Sequence, residues 1–457
     1  MKLNPLFFLR VICIGLLCFV SSGRAEQPNI VLILSDDQSW TDYGFMGHEH
    51  IETPNLDALA ERSALFRRGY VPTALCRPSL MTLATGLYTH QHLISGNDPS
   101  PVLTGGKREG AKYDALREAL IANVDRVPTI PRLLGEAAYL SHQSGKWWEG
   151  SWKRGGFTHG MTRGFPERGG RHGDDGLKIG REGMEPIFEF IDHSVKEDKP
   201  FYLWYAPFLP HTPHNPPQDL FDKYLAKEEN QFVARYYAMC EWFDQTCGQL
   251  IDYVDGKGLS ENTMFVYVCD NGWIQNTEKN GYAPRSKQSA NEGGTRQPIM
   301  YCWPGVIEPG DRGNQLASSI DIVPTMLAAA GMEVPENLPG LDLMPILKSG
   351  DPTPRKEVFG EGFAHDIANV DKPEDSLLYR WIVKDQWKLL LTYDGKVNRY
   401  ASSHPRTEKR PQLYNLLEDP HEKMNLAADN PEVVKDLAAE ISGWWPVTER
   451  KVLESWE

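Results

Sequence analysis

Three short apolar segments constrain the fold of this chain more than any other feature. Residues 29–35, 200–206 and 263–269 are nearly continuous runs of aliphatic and aromatic side chains. Runs of this length without polar alternation are typical of strands that are buried on both faces of a sheet. The sequence therefore predicts an α/β protein in which helices cover both sides of a central sheet.

Each of the three segments is followed at once by polar or charged residues. Asp36 and Asp37 follow the first segment, and Asp270 and Asn271 follow the third. The second leads into the proline-rich stretch 207–214, which cannot continue a central strand and so presents its histidines on a loop. Open α/β sheets bind ligands at the carboxyl ends of their strands. Adjacent aspartates taken alone more often cap a turn, but two such strand ends favour a site at this edge.

A short helix is predicted to begin near Cys76. Pro78 near its first turn and Gly86 near its last give the usual polarity of a helix. The N-terminus of a helix has unpaired N–H groups and the positive end of the macrodipole, so it favours an anion. The alternative for Cys76 taken alone is a buried cysteine beside a turn.

Residues 1–25 predict a signal peptide. Its apolar core, residues 11–20, is preceded by Arg10 and followed by the small-residue cleavage site at Ala25. The interruption at Arg10 argues against a permanent membrane anchor, so we expect a periplasmic or secreted protein. The five cysteines beyond residue 25 show no close-set disulfide framework.

The remaining length suggests two units. A chain of 457 residues is long for one hydrophobic core, and the pattern of apolar and polar residues changes near residue 350. We therefore predict a catalytic domain over residues 26–349 and a smaller α+β subdomain over residues 350–457, with an antiparallel hairpin at 379–393. The formal net charge of −14 argues against a nucleic-acid partner.

The polar residues at these predicted strand ends and loops suggest one chemistry. The oxygen donors suit Ca²⁺ or Mg²⁺ better than zinc, and they are Asp36, Asp37, Asp270 and Asn271. Three further side chains are positive or can donate a proton: Lys146, His211 and Lys287. A hard cation and basic groups around a helix N-terminus make a site for a tetrahedral anionic ester.

In these segments the chain resembles type I, formylglycine-dependent sulfatases of the alkaline phosphatase superfamily. The matching segments are residues 28–37, Cys76-Arg-Pro-Ser79 with Thr85-Gly86, 144–147, 211–214, 270–272, Lys287 with 292–298, 413–416, 419–422 and 425–427. Each is short, but their shared order from residue 28 to the last helix makes the resemblance strong. It implies a mixed sheet between helices and a smaller C-terminal subdomain that contains an antiparallel sheet.

The resemblance also implies that Cys76 is oxidised to formylglycine by a formylglycine-generating or sulfatase-maturing enzyme. The hydrated aldehyde is a gem-diol, of which one oxygen attacks sulfur and the other later expels the sulfate. The resemblance assigns the metal, Ca²⁺ with Mg²⁺ as the alternative, to Asp36, Asp37, Asp270, Asn271 and modified Cys76. It assigns the sulfate ester to Lys287 and His211, one of which protonates the leaving oxygen, and the aldehyde hydrate or sulfate to Lys146.

Two positions depart from the family pattern. Leu80 stands where the recognition signal usually carries arginine, and Trp148 stands where the motif Gly-Lys-Trp-His has its histidine. These departures remove one positive group and one base. Arg77 and His92 are the candidates in this sequence to replace them.

Four of the arginines in the Gly-rich stretch between residues 150 and 183 have two interpretations. They are Arg154, Arg163, Arg168 and Arg171. A solvated surface is the default for such a run, whereas in a hydrolase of anionic sugars they line a subsite. Trp147 and Trp148 are interpreted as core or pocket-wall residues rather than sugar-stacking platforms.

The sequence thus leads to one main hypothesis and two alternatives. The main hypothesis is a sulfuric ester hydrolase, of arylsulfatase type, that removes sulfate from a sulfated small molecule or, preferably, a saccharide. One alternative is a phosphate or phosphonate ester hydrolase on the same scaffold. The other is a catalytically impaired, sulfatase-like binding protein.

Overall fold

The computed structural model describes residues 27–393 and 411–452. Its strands are β1 (Asn29–Ser35), β2 (Ala64–Tyr70), β3 (Asp98–Pro99), β4 (Leu140–Gly145), β5 (His159–Gly160), β6 (Phe201–Ala206), β7 (Thr263–Cys269), β8 (Arg296–Cys302), β9 (Gly310–Asp311), β10 (Leu316–Ser318), β11 (Glu357–Phe363), β12 (Asp366–Ile367), β13 (Leu377–Lys384), β14 (Trp387–Thr392) and β15 (Gln412–Asn415). The predicted signal peptide at residues 1–25 lies outside the described residues.

The α-helices are α1 (Pro54–Glu61), α2 (Cys76–Thr85), α3 (Thr89–His92), α4 (Ala111–Ile121), α5 (Ile130–Glu136), α6 (Glu185–Lys196), α7 (Gln218–Leu225), α8 (Gln231–Gly256), α9 (Glu292–Thr295), α10 (Ile322–Ala329), α11 (Met344–Ser349) and α12 (Pro431–Trp444). Short 3₁₀ turns lie at Gly44–Met46, Pro101–Thr104, Ala122–Arg126, Asp174–Lys178, Ser260–Asn262, Ser319–Asp321 and Pro373–Ser376. None of the helices in these ranges has the length and apolar character needed to cross a membrane.

A nine-stranded mixed sheet forms the centre of the described structure. Its order is β10-β2-β8-β7-β1-β6-β4-β5, with β9 paired to β2. Strand β8 runs antiparallel to β2 and β7, and the other pairings are parallel. The predicted mixed sheet is therefore confirmed.

The central strand β1 is buried on both faces, as its apolar run predicts. Ile30, Leu32 and Leu34 pack in one core with α2, α5 and α10. Val31 and Ile33 face the other core, which contains side chains from α1, α6 and α8. Full burial of each such side chain stabilises the fold by about 1.5–3 kcal/mol. The alternation along one strand thus fixes a helix layer on each side of the sheet.

Strand register brings several carboxyl ends to one edge of the sheet. Ser35 of β1 pairs with Cys269 of β7, so the residues that follow both strands emerge side by side. Gly145 of β4 pairs with Ala206 of β6 on the other side of β1. The next residues along all four strands therefore meet above the same edge.

A second, four-stranded antiparallel sheet lies near the C-terminus. Its order is β11-β13-β14-β15, and α12 packs Leu437 and Ile441 against it. The predicted hairpin is present as β13 and β14, with Tyr379 opposite Thr392. The short strand β12 pairs with β3 from the first half of the chain. This antiparallel sheet is confirmed, while the domain boundary at 349/350 stays a prediction.

Candidate active site

Strand ends, loops and one helix start bring the eight predicted site residues together. Two pairs follow strands directly: Asp36 and Asp37 after β1, and Asp270 and Asn271 after β7. The others are Lys146 directly after β4, His211 in the loop after β6, Cys76 at the start of α2 and Lys287 in the loop before α9. The parallel register places these segments at one edge, which is where open α/β sheets bind ligands.

Lys146 pairs with the first aspartate. Its Nζ lies 2.8 Å from Oδ1 and 2.7 Å from Oδ2 of Asp36, and both side chains are buried. Burial is the largest single influence and would lower the pKa of Lys146, but Asp36, Cys76 and Asp270 together raise it, so the ammonium stays charged. Burial raises the pKa of Asp36 despite this partner.

Asp37 is the most heavily contacted carboxylate of the site. Lys287 Nζ lies 2.6 and 2.7 Å from its two oxygens, and Asn271 Nδ2 donates to Oδ1 at 2.7 Å. His211 Nε2 lies 3.3 Å from Oδ2. The backbone φ of Asp37 is +65°, a left-handed conformation that Asp tolerates better than most residues. This strained position turns the second carboxylate into the site.

Cys76 lies beside Lys287 at the start of α2. Its Sγ is 3.0 Å from Lys287 Nζ, and only 1% of the residue is exposed. Burial raises the pKa of the thiol to about 12, although Lys146 and Lys287 oppose the rise. An unmodified Cys76 is therefore a neutral thiol at pH 7 and a poor nucleophile.

His211 is held in one orientation. Its Nδ1 lies 2.6 Å from the carbonyl oxygen of Thr212, so Nδ1 carries the proton and donates it to that oxygen. Burial, together with Lys146 and Lys287, holds the pKa of His211 well below its usual value. The neutral ring therefore presents Nε2 toward Asp37 and toward Lys287 Nζ, which lies 3.5 Å away.

Two oxygen acceptors in the site have no donor within the described ranges. Asp270 accepts the N–H groups of Asp37 and Asn271 through Oδ1, but its Oδ2 is buried without a partner. Asn271 Oδ1 is likewise buried without a hydrogen-bond partner among the described residues. An unpaired buried oxygen is costly, and a hard cation removes that cost. The carboxylate and amide oxygens of the site are therefore suitable ligands for Ca²⁺ or Mg²⁺.

One group of acidic, cysteine and histidine ligand atoms in the site differs in part from the predicted metal set. Atoms of Asp36, Asp37, Cys76 and His211 lie within 4.8 Å of one another. Three of these belong to the predicted set, and His211 is the addition. Asp270 joins the group through the backbone N–H of Asp37, 3.2 Å from its Oδ1.

Neither Arg77 nor His92 is free to replace the missing family residues. Arg77 Nε and Nη2 each lie 2.7 Å from an oxygen of Glu149, and Nη1 donates to the carbonyl of Asn97. His92 Nε2 lies 3.4 Å from Thr82 Oγ1, on the body of α2, and burial lowers its pKa to about 3. Both residues hold α2 in place instead.

A cavity of about 460 Å³ opens beside Cys76. It is lined by Asp37, Cys76, Asn97, Lys146, Trp148, Arg171, His172, His211, Thr212, Trp273, Asn280, Gly281, Tyr282, Lys287, Gln288 and His365. Trp148, which stands in place of the family histidine, thus forms part of the wall, while Trp147 packs in the core against Phe157 and Trp204. The wall also includes His365, from the segment between β11 and β12.

Of the four loop arginines, Arg171 lines this cavity. Arg154 pairs with Glu118 and Asp125 elsewhere, Arg163 pairs with Asp175, and Arg168 is exposed. The sequence names Arg171 only as one of four candidate arginines and does not identify the adjacent His172, because nothing in a Gly-rich loop shows which side chains turn inward.

Comparison with known proteins gives two family matches. A family model described as Sulfatase matches residues 28–332, and one described as the C-terminal part of N-sulphoglucosamine sulphohydrolase matches residues 285–444. Together they span most of the chain, including every residue of the site.

Individual proteins agree with these matches. The chain is 28% identical to arylsulfatase A of Homo sapiens, over 93% of this chain and 89% of that protein. It is 26% identical to N-acetylgalactosamine-6-sulfatase of Canis lupus familiaris, over 90% and 84%. Its fold is similar to the crystal structure of Ps i-CgsB, with a TM-score of 0.71, 24% identity and coverage of 94% and 95%.

Proposed function

Because the chain belongs to the sulfatase family and is a sulfuric ester hydrolase, we propose that it removes sulfate from a sulfated carbohydrate with a nucleophile made from Cys76 and a divalent metal. One observation carries this proposal. Cys76 lies buried beside Lys287 among carboxylate and amide oxygens, two of which lack a donor in the described part of the chain. A neutral thiol does not need these charged and polar partners, whereas a charged oxygen nucleophile is stabilised by them.

The nucleophile is proposed to be formylglycine at position 76. Its hydrate supplies an oxygen that attacks sulfur and a second hydroxyl through which sulfate is later released. The neighbouring ammonium groups of Lys146 and Lys287 are fixed by Asp36 and Asp37, so they are placed to stabilise the negative charge of the ester and hydrate. A formylglycine-generating or sulfatase-maturing enzyme is the partner that this chemistry requires.

The metal is proposed to be held by protein oxygen atoms. The ligands are Asp36, Asp37, Asp270, Asn271 and the modified side chain of Cys76. So many protein ligands favour Ca²⁺ over Mg²⁺, which usually keeps several waters. When bound, the ion withdraws electron density from the sulfate ester as a Lewis acid.

We expect chelation to inactivate the protein. Removing the cation leaves crowded carboxylates, so EDTA should abolish sulfate release, and added Ca²⁺ should restore it more fully than Mg²⁺. Because a cation that binds only the folded state stabilises it, Ca²⁺ should also raise the thermal midpoint of the chelated protein. Full activity in protein shown to be metal-free would contradict the assignment.

Lys287 and His211 are proposed to contact the sulfate ester, and one of them to protonate the leaving oxygen. His211 can serve as the acid only through Nε2, which must first gain a proton because the ring's one proton is donated from Nδ1 to Thr212. Lys287 is already protonated, since the neighbouring carboxylates raise its pKa against the effect of burial. Lys287 already lies between Asp37 and residue 76. The two side chains therefore approach the ester from the same side.

The variant His211→Gln tests this proton transfer. We expect kcat/KM to fall by about 10²–10⁴-fold for esters of poor leaving groups, and by less for 4-nitrophenyl sulfate, whose leaving oxygen needs little protonation. His214→Gln is the matched control, since His214 is on the same loop and buried but does not line the cavity. Equal losses across leaving groups in His211→Gln would assign it another role.

A carbohydrate substrate has two supports. One relative is named for a sugar, N-acetylgalactosamine-6-sulfatase. The cavity of about 460 Å³ is within the usual range for small ligands and has tryptophan and tyrosine side chains in its wall. The periplasmic or secreted location proposed from residues 1–25 would give access to such substrates.

Matched esters test the proposed function against its alternatives. We expect release of sulfate from 4-nitrophenyl sulfate and from sulfated saccharides, with a higher kcat/KM than for 4-nitrophenyl phosphate. A strong phosphate preference would favour the phosphate or phosphonate hydrolase. Binding of sulfated saccharides without turnover, together with an unmodified Cys76 thiol, would favour the binding protein.

A further inference from the structure

Arg171 is a cation of the cavity wall that the proposed chemistry does not use. Among the described residues that line the cavity, the charged groups other than histidine are Asp37, Lys146, Arg171 and Lys287. Lys146 pairs with Asp36 and Lys287 with Asp37, where the proposed chemistry uses them, whereas Arg171 pairs with Asp98. Arg171 is left as a separate positive group in the same cavity.

Arg171 is built into its position. Its Nε lies 3.2 and 3.0 Å from the two oxygens of Asp98, which is 2% exposed and does not line the cavity. Its guanidinium carbon lies 4.6 Å from the ring centre of Trp148. Asp98 also accepts from Nη2, so the carboxylate holds the Nε–Nη2 edge of the guanidinium while the aromatic ring lies beneath it, and 39% of the side chain remains exposed.

The charge of Arg171 is only partly neutralised. Asp98 is shared with Arg108, 3.8 Å away, which also pairs with Asp366. Arg117 lies close enough to Asp98 and Arg171 for both to act on its pKa, and its Nε is buried without a hydrogen-bond partner in the described structure. Three arginines therefore surround two carboxylates, which leaves an excess of positive charge behind this wall.

The same wall has a donor without an acceptor. The indole Nε1 of Trp148 is buried and makes no hydrogen bond to any described residue, and Trp148 itself is 4% exposed. Buried N–H groups normally have a partner, so an oxygen acceptor beside this N–H would be stabilised. Arg171 lies over the ring of Trp148, so both donors belong to the same part of the cavity wall.

We infer that Arg171 and Trp148 bind a second anionic group, a carboxylate or a second sulfate, on the saccharide whose sulfate ester is cleaved. This inference rests on the proposed function and narrows its substrates to saccharides with at least two negative groups. Arg171 lies close enough to Cys76 for the two groups to interact electrostatically, and one cavity contains both. A bound sugar would reach the two at once.

The test compares saccharides that differ only in the second group. Three disaccharides of one backbone carry a single sulfate, a sulfate with a carboxylate, or two sulfates. We expect the wild-type kcat/KM to be higher for one or both of the two-anion substrates. In Arg171→Gln, the ratio of two-anion to one-anion kcat/KM should fall roughly 10- to 100-fold, the range for loss of a charge-assisted pair.

Two further variants control for folding and for general charge. Arg168→Gln removes an exposed arginine of the same loop and should leave the ratio unchanged. The double variant Arg171→Gln/Asp98→Asn removes both charges of the pair and leaves Arg108 paired with Asp366, so it should keep the fold and show the same lowered ratio. Which substrate loses its advantage identifies the carboxylate or the sulfate as the second group.

A binding measurement distinguishes failure of this inference from failure of the proposed function. Cys76→Ala protein, with and without Arg171→Gln, is titrated calorimetrically with the one-anion and two-anion disaccharides. Arg171-dependent preference for the second anion supports the inference even if no ester is cleaved. An unchanged preference on loss of Arg171, in binding or in kcat/KM, overturns it even if sulfate is released.

Discussion

Cys76→Ala is expected to lose sulfate release by at least about 10⁴-fold, with its fold retained. Loss of a covalent nucleophile removes a step that neighbouring groups cannot supply, and losses of this size are usual for such residues. Substrate affinity should fall much less, because Lys146 and Lys287 remain on their aspartates. The measurement is steady-state kinetics with 4-nitrophenyl sulfate, together with calorimetric binding of a sulfated saccharide.

Cys247→Ala is the matched control for this variant. Cys247 is also a free, buried cysteine, but it lies on α8 in the core beneath the sheet and does not line the cavity. It should cost stability through lost packing and leave kcat/KM close to that of the wild type. Turnover by Cys76→Ala near the wild-type rate would contradict the nucleophile assignment.

Lys388→Met is expected to destabilise the protein by about 3–5 kcal/mol, since it removes one partner of a buried ion pair. Lys388 on β14 is 0% exposed, and its Nζ lies 2.8 Å from Glu292 Oε1 and 3.4 Å from Glu422 Oε1. Glu292 begins α9, five residues after Lys287. The C-terminal sheet thus anchors the loop that carries a site lysine.

The destabilisation should depend on pH. Burial raises the pKa of Glu422 above its usual value, and the Lys388 ammonium opposes that rise. Without the ammonium, the folded protein holds a proton that the unfolded chain releases, so stability is present at low pH and falls as pH rises above the usual glutamate pKa. We therefore expect a larger loss at about pH 8 than at about pH 5.

Lys384→Met provides the matched control on the neighbouring strand. Lys384 pairs with Glu440 at 2.8 Å, but both side chains are about one-third exposed, so the pair contributes about 0–1 kcal/mol. Urea-induced unfolding of both variants measures the difference. A Lys388→Met midpoint that matches the Lys384→Met midpoint would show that the buried cluster does not anchor the loop.

The parts of the fold that could be predicted from sequence depend on local patterns. The apolar runs of β1, β6 and β7 identify strands buried on both faces, and polar residues at their ends identify the edge that holds the site. Cys76 begins α2, and Gly86 ends it with a φ of +70°, as Pro78 and glycine near the two ends predict. Each of these signals depends on residues adjacent in sequence.

What could not be predicted depends on tertiary contacts. Arg77 follows Cys76 directly and was a candidate for a free positive group, but the structure gives it Glu149, a residue 72 positions away. Arg171 lies among exposed arginines in sequence, and only its contacts with Asp98 and Trp148 turn it to the cavity. Likewise, no local pattern places Lys388 beside α9.

The central claim is that residue 76 is a converted cysteine, and peptide mass spectrometry of protein from its native source tests it most directly. The protein is first alkylated, and Cys240 serves as an internal control because its thiol should be labelled. The account predicts a residue-76 peptide that is not alkylated, is about 18 Da lighter than the unmodified thiol form, and reacts with an aminooxy probe. A residue-76 peptide that is fully alkylated as a thiol, in protein that releases sulfate, would contradict it.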